Sequence, residues 1–146
     1  MSDPACAYCS QPEIREREIT GNELAWAFPT NIPVTEGHTL VSPRRCIASL
    51  TELTPEERLA ILALAERIMG ALRNAYGAEG FNVAWNEGKL AGQNVPHFHL
   101  HIVPRTEGDT GLIGYDVRTH LYRTGDREPT PEDELLRVRD RTKQGL

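Results

Sequence analysis

The stretch "PHFHLHIV", 96–103, sets three histidines at every second position, with apolar residues between and after them. Side chains alternate across an extended strand, so His97, His99 and His101 share one face and Phe98, Leu100 and Ile102 share the other. A sheet holding this strand has an oily back and an imidazole front. The back needs a cover, and "TPEERLAILALAERIMGALRNAYG", 54–77, reads as the helix that supplies it. Thr54 is its N-cap, Pro55 takes the first helical position, Glu57 completes a capping box and Gly77 is a natural stop. Ile61, Leu62, Ala65, Ile68, Met69, Leu72 and Tyr76 form its apolar stripe.

Other strands are expected in "REREITGNELAWAF" (two arms joined by a Gly21-Asn22 turn), in "HTLVSP" from His38, and in "FNVAWN". "TNIPVTEG" is a loop punctuated by Pro33 and Gly37. A last helix is expected from Thr130-Pro131 onward. It opens with Glu132, Asp133 and Glu134 and carries Arg137, Arg139 and Arg141 toward its end, the polarity that suits the helix dipole. Strands clustered round one long helix indicate an α+β fold with an antiparallel sheet. At 146 residues the chain, 1–146, is expected to form a single domain.

Sixteen Lys and Arg against 21 Asp and Glu give a net charge of -5, which removes the electrostatic case for a nucleic-acid polymer as partner. The segment "MSDPACAYCS" is polar, and no stretch approaches the roughly 20 apolar residues of a membrane span. The expected location is the cytoplasm, with no membrane partner. Three cysteines are an odd number, which argues against a closed set of disulfides.

Neighbouring same-face residues of a strand lie roughly 7 Å apart and the outer pair roughly 13 Å. With metal bonds of about 2 Å, adjacent imidazoles can share an ion but the outer two cannot easily reach one. The three rings are therefore expected to have different tasks. On the residues alone, a polar solvent-facing side is the plain alternative.

"GQNVPHFHLHIV", 92–103, resembles the signature of the histidine-triad (HIT) superfamily of nucleotidyl hydrolases and transferases, His-φ-His-φ-His-φ-φ with φ apolar. "PVTEGHTLVSP", "NEGKLAGQ" and "PRTEGD" look like the same family. The resemblance covers about 6–109 and leaves 110–146 as a C-terminal extension. It implies a HIT-like fold, a five-stranded antiparallel sheet with one long helix, usually doubled across a homodimer; the C-terminal helix would be added to it.

The resemblance also implies roles. His99 matches the nucleophile, which attacks the α-phosphorus of a nucleoside phosphoanhydride, ester or phosphoramidate and becomes covalently nucleotidylated. His101 matches a histidine at the phosphate and leaving atom, in keeping with a proton donor, and His38 an upstream histidine near the same phosphate. Gln93 and Asn94, after Gly92, match the phosphate-binding loop, and Asn86 matches an Asn that faces the phosphates. Phe28 and Leu40 match positions that sandwich the base. At the ribose position the family commonly carries Asp or Asn; here it is Thr30, with Asn31 beside it. Thr cannot take both hydroxyls as a carboxylate does. Arg44, Arg45 and Arg105 either add positive potential near the site or are solvated surface.

Cys6 and Cys9, in "CAYC", have the spacing of a metal knuckle or a redox pair. Many family members with this N-terminal pair bind zinc with a further His and the first triad histidine. Here Cys46 stands where that His is usual, so the resemblance implies a closed Cys₃His zinc site of Cys6, Cys9, Cys46 and His97, structural in kind. The function implied is a HIT-family enzyme, a nucleotide hydrolase working through a His99-nucleotide on a small-molecule substrate. A dinucleoside polyphosphate phosphorylase or nucleotidyltransferase, and a non-catalytic nucleotide-binding regulatory protein, are the alternatives.

Overall fold

The computed structural model describes residues 6–109 and 128–146. Two short helices, α1 (Ala7–Ser10) and α2 (Pro12–Glu16), lead into β1 (Thr20–Gly21) and β2 (Ala25–Pro29). β3 (Thr39–Pro43) follows, then α3 (Pro55–Tyr76), β4 (Gly80–Ala84), β5 (Leu100–Arg105) and α4 (Glu132–Gln144). The strands form one antiparallel sheet in the order β1-β2-β3-β5-β4. This is the α+β architecture expected, with the long helix and the C-terminal helix in place. No helix among the described residues is long and apolar enough to cross a membrane.

The capping box at the head of α3 is formed as read. Thr54 accepts from the Glu57 N–H and the Glu57 carboxylate accepts from the Thr54 N–H, while Gly77 closes the helix at φ 66°. Ile61, Leu64, Ala65, Ile68 and Leu72 of α3 pack with Phe98, Leu100 and Ile102 in one core. Leu62, assigned to the stripe from the sequence, is instead 62% exposed, and Leu64 takes its place in the core. At 3.6 residues per turn the buried arc that contains Ile61, Leu64 and Ala65 turns Leu62 outward.

Three further boundaries differ from the sequence reading. Arg15 and Glu16 are helical, so the first arm of the expected hairpin shrinks to Thr20–Gly21. The turn is made by Asn22, whose side-chain oxygen accepts from the N–H groups of Leu24 and Ala25. The ladder of β5 starts only at Leu100, and His97 lies in a bend before it. Nor is the front of the sheet simply polar. Trp26, Phe28 and Leu40 point there and are buried with Cys6, Tyr8 and Ile14 from the N-terminal segment. Strand β2 is thus buried along its whole length, as expected for a strand covered on both faces.

Glu57 does more than cap. Its carboxylate also accepts from Arg45, at 2.8 Å from Nε and 2.9 Å from Nη2. The Arg45 hydrogen bond holds the Glu57 carboxyl below its usual range. A carboxylate with a depressed folded-state pKa contributes stability above the ordinary glutamate value, about 4.3, and loses it as pH falls through the folded value. Glu57→Gln is therefore expected to lower the melting temperature at neutral pH, with a difference from wild type that shrinks in acid below about pH 4. Melting curves taken across that range check this; a difference that does not narrow in acid rejects it.

Candidate active site and metal centre

His38, His99 and His101 are brought together by β3 and β5. Leu40 pairs with His101 in the ladder, and His38 directly precedes β3. Gly37 delivers His38 into place. Its φ is 93°, and a Cβ there would sit 3.1 Å from the Tyr76 ring and 3.2 Å from Pro104, so only glycine fits.

Hydrogen bonds set the ring orientations and, for neutral rings, the tautomers. The Val34 N–H donates to His38 Nδ1 at 3.0 Å, so the His38 proton sits on Nε2. That nitrogen faces His101 Nδ1 at 2.9 Å. His101 then accepts at Nδ1 and carries its own proton on Nε2. His99 is held differently. Its Nδ1–H donates to the His97 carbonyl at 2.8 Å, which leaves Nε2 as a lone pair. His99 and His101 lie ring against ring, with centroids 5.1 Å apart. Burial pushes His99 below the ordinary histidine pKa, opposed by the bond to the His97 carbonyl. Burial thus favours the neutral ring, the form with a lone pair to give.

Both rings open on a cavity of about 290 Å³. Phe28, Leu40, Thr30, Asn31, His38 and Asn94, all picked out from the sequence, line it too. Gln93 sits differently. Its amide oxygen accepts from the Gly88 N–H at 2.8 Å and its nitrogen donates to the Ala48 carbonyl at 3.0 Å, so its side chain braces the loop. Asn86 is buried. Arg44, Arg45 and Arg105 are engaged by Glu18, Glu57 and Asp109, away from the cavity lining.

Tyr8 and Arg17 line the cavity as well, and neither was picked out from the sequence. Tyr8 meets His99 edge-on at 5.4 Å and Phe28 at 5.0 Å between ring centroids. Its position between the two cysteines was the available signal, since any shared ligand that ties Cys6 and Cys9 to His97 draws Tyr8 under the sheet. Arg17 had no local signal, because its place depends on a residue 115 positions away.

Beside this cavity, Cys6, Cys9, Cys46 and His97 gather with their donor atoms all within 4.8 Å of one another. His97 Nδ1 is 3.4 Å from Cys6 Sγ and 3.6 Å from Cys9 Sγ. Its Nε2–H donates to the Pro43 carbonyl at 2.7 Å, which leaves Nδ1 a lone pair aimed at the sulfurs. A carbonyl that anchors the far nitrogen is the usual support of a metal-bound imidazole. Burial pushes the Cys6 thiol up to about 12. The donor set fits a metal ion of the kind held by thiolates and imidazole.

The HIT domain family matches residues 11–108. A HIT-like protein of Mycoplasma genitalium is 40% identical over 115 residues, covering 77% of this chain and 81% of that protein. The bis(5'-adenosyl)-triphosphatase of Dictyostelium discoideum is 34% identical over 119 residues, 81% of this chain and 76% of its own length. The crystal structure of a zinc-bound histidine triad family protein from Mycobacterium smegmatis superposes with a TM-score of 0.66 at 33% identity, covering 87% of this chain and 84% of that one. With the histidine cluster, the sheet order and the matched span in agreement, the chain belongs to the HIT domain family.

Proposed function

We propose that the protein hydrolyses a nucleoside phosphoanhydride or phosphoramidate at its α-phosphorus through a covalent nucleotide on His99. The observation that carries this reading is the hydrogen-bond pattern beside one cavity, His99 Nδ1 at 2.8 Å from the His97 carbonyl and His101 Nδ1 at 2.9 Å from His38 Nε2, from which we assign a lone pair to His99 Nε2 and a proton to His101 Nε2. In the first half-reaction His99 Nε2 bonds to phosphorus as the bond from phosphorus to the leaving oxygen or nitrogen breaks. The leaving atom takes the His101 proton, and His38 holds His101 in the donating tautomer. In the second, water attacks the same phosphorus and gives a proton to His101 while the phosphorus–nitrogen bond breaks. A nucleoside monophosphate leaves and His99 is restored. Phe28 and Leu40 offer apolar walls to the base, Thr30 and Asn31 lie toward the ribose, and Asn94 lies toward the phosphates. The triphosphatase relative supports a phosphoanhydride as the bond cleaved.

The test is a panel of nucleoside polyphosphates and phosphoramidates, incubated in isotopically labelled water with and without inorganic phosphate, with products read by mass. Labelled nucleoside monophosphate is the expected product. A nucleoside diphosphate formed only with phosphate would assign a phosphorylase, and tight binding without turnover a regulatory binder.

We assign zinc to Cys6, Cys9, Cys46 and His97, a reading supported by the donor set and by the zinc-bound relative. Zinc there supplies a cross-link that ties the N-terminal segment to β3 and to the entrance of β5. His97 is thereby committed to structure, and its carbonyl is left to orient His99.

We further propose a homodimer. β4 is an edge strand, with Val83 43% and Trp85 42% exposed on or just beyond it. Leu59 and Leu62 of α3 are exposed as well. Open edges and apolar patches of this kind are normally covered. Light scattering at micromolar concentration is expected to give twice the chain mass. A monomer across that range rejects the dimer.

A further inference from the structure

Arg17 lines the cavity. It follows α2, and two residues later the Ile19 N–H donates to the Ala27 carbonyl of β2, which fixes this segment on the β1 side of the sheet. From there to β5 is three strand spacings, roughly 14 Å. The Arg17 side chain is 12% exposed and forks onto Glu132, the first residue of α4. Nε lies 2.9 and 3.1 Å from the two carboxylate oxygens, and Nη2 lies 2.5 Å from one of them. Glu132 lies beyond the 11–108 span that the family matches. The same segment also holds the cavity loop, through the Thr130 N–H on the Asn31 carbonyl at 2.7 Å.

We propose that Arg17, positioned by Glu132, reads the edge of the base, and that the preferred nucleotide carries a 6-oxopurine such as guanine. This rests on the nucleotide reading above. Phe28, Leu40 and Ile14 line the cavity as apolar walls; for a base held between such walls, recognition comes from groups that meet its edge. Glu132 balances the charge of Arg17, which suits this end to a neutral acceptor and not to a second phosphate. The fork uses Nε–H and one Nη2–H; the remaining N–H groups of the guanidinium are donors only. Guanine offers two adjacent acceptors, N7 and O6, and adenine puts an amino donor at the second of these. A guanidinium at this edge therefore accepts guanine and meets adenine with donor against donor. Glu132 is the positioning residue, because without it the guanidinium is free to swing.

The experiment is calorimetric titration of wild type, Arg17→Gln and Glu132→Gln with GMP and with AMP, with a melting curve for each protein. Wild type is expected to bind GMP about tenfold or more tighter than AMP, the discrimination typical of a bidentate base contact. Glutamine donates and accepts, and so pairs with adenine N7 and its amino group. Arg17→Gln is thus expected to bring the GMP-to-AMP ratio to one or to reverse it. Glu132→Gln is expected to weaken GMP several-fold and leave AMP nearly unchanged. AMP bound as tightly as GMP by wild type, or an equal loss of both ligands in both variants, overturns the proposal and leaves the nucleotide reading standing. Binding of neither by wild type overturns the nucleotide reading, and this inference with it. If a variant melts far below wild type, the wild-type ratio still decides.

Discussion

His99→Ala is expected to lose on the order of 10⁴-fold or more in turnover while still binding nucleotide. Displacement at phosphorus needs an attacker aligned with the leaving group, and the bond from His99 Nδ1 to the His97 carbonyl is what aims Nε2. Alanine removes the attacker and leaves the cavity walls, Phe28 and Leu40, untouched. His101→Ala removes a proton donor only and is expected to lose roughly 10²–10⁴-fold. His38→Ala is expected to fall below wild type and above His101→Ala, because it removes the support of the donor and not the donor. Rapid quenching of wild type with substrate, followed by peptide mass analysis, is expected to find a nucleoside monophosphate on His99. Near-normal turnover of His99→Ala, or an adduct on His38 or His101, rejects the assignment.

Cys46→Ala is expected to release the metal and to cost the fold about 3 kcal/mol or more, since the binding energy of a structural zinc is folding energy. The reason lies in what the four ligands join. Cys6 and Cys9 flank the start of α1, Cys46 follows β3, and His97 precedes β5. Tyr8, carried between the two cysteines, is part of the wall behind His99. Metal loss is therefore expected to lower turnover as well as stability, although none of the four ligands is assigned a reacting atom. Cys46→His is expected to be the mildest change, because it keeps a donor suited to a tetrahedral site. Metal analysis of the purified protein, with thiol titration and melting curves of both variants, makes the check. Protein with no metal, three freely titrating thiols and an unchanged melting curve in Cys46→Ala refutes the site.

The Arg17–Glu132 fork bears on what the C-terminal segment is for. α4 packs against α3 and β2, with Leu135 and Thr142 buried. Thr142 Oγ1 also reaches the Tyr76 hydroxyl at 3.4 Å, and the Asn74 amide donates to the Gly145 carbonyl at 2.7 Å. These contacts hold the end of α4 on α3, while Glu132 on Arg17 and the Thr130 N–H on the Asn31 carbonyl bring its start to the cavity lining, so a segment outside the matched family span reaches the proposed nucleotide site.

What the sequence determined by itself was what short-range periodicity and end chemistry encode. The alternation around His99 and His101 put the imidazoles on one face and Leu100 and Ile102 on the helix side, and the structure keeps both. The Thr54–Glu57 box and Gly77 set the limits of α3, because capping is a matter of backbone groups within one turn. The motif residues Cys6, Cys9, Cys46 and His97 were legible as one group through the family resemblance, and the structure draws them together. Tertiary structure alone decided the rest. Which part of the helix stripe is buried depends on how α3 sits on the sheet, so Leu62 and Leu64 exchange places. His97 leaves the ladder because its ring turns to the sulfurs and to the Pro43 carbonyl, contacts that no strand period contains. Gln93 braces its own loop because Ala48 happens to lie across from it. Arg17 and Glu132 meet across 115 residues, and only the packing of α4 brings that carboxylate to the cavity wall. Patterns of two or four residues report which face a side chain takes; the partner on that face is chosen by chain segments that local pattern cannot see.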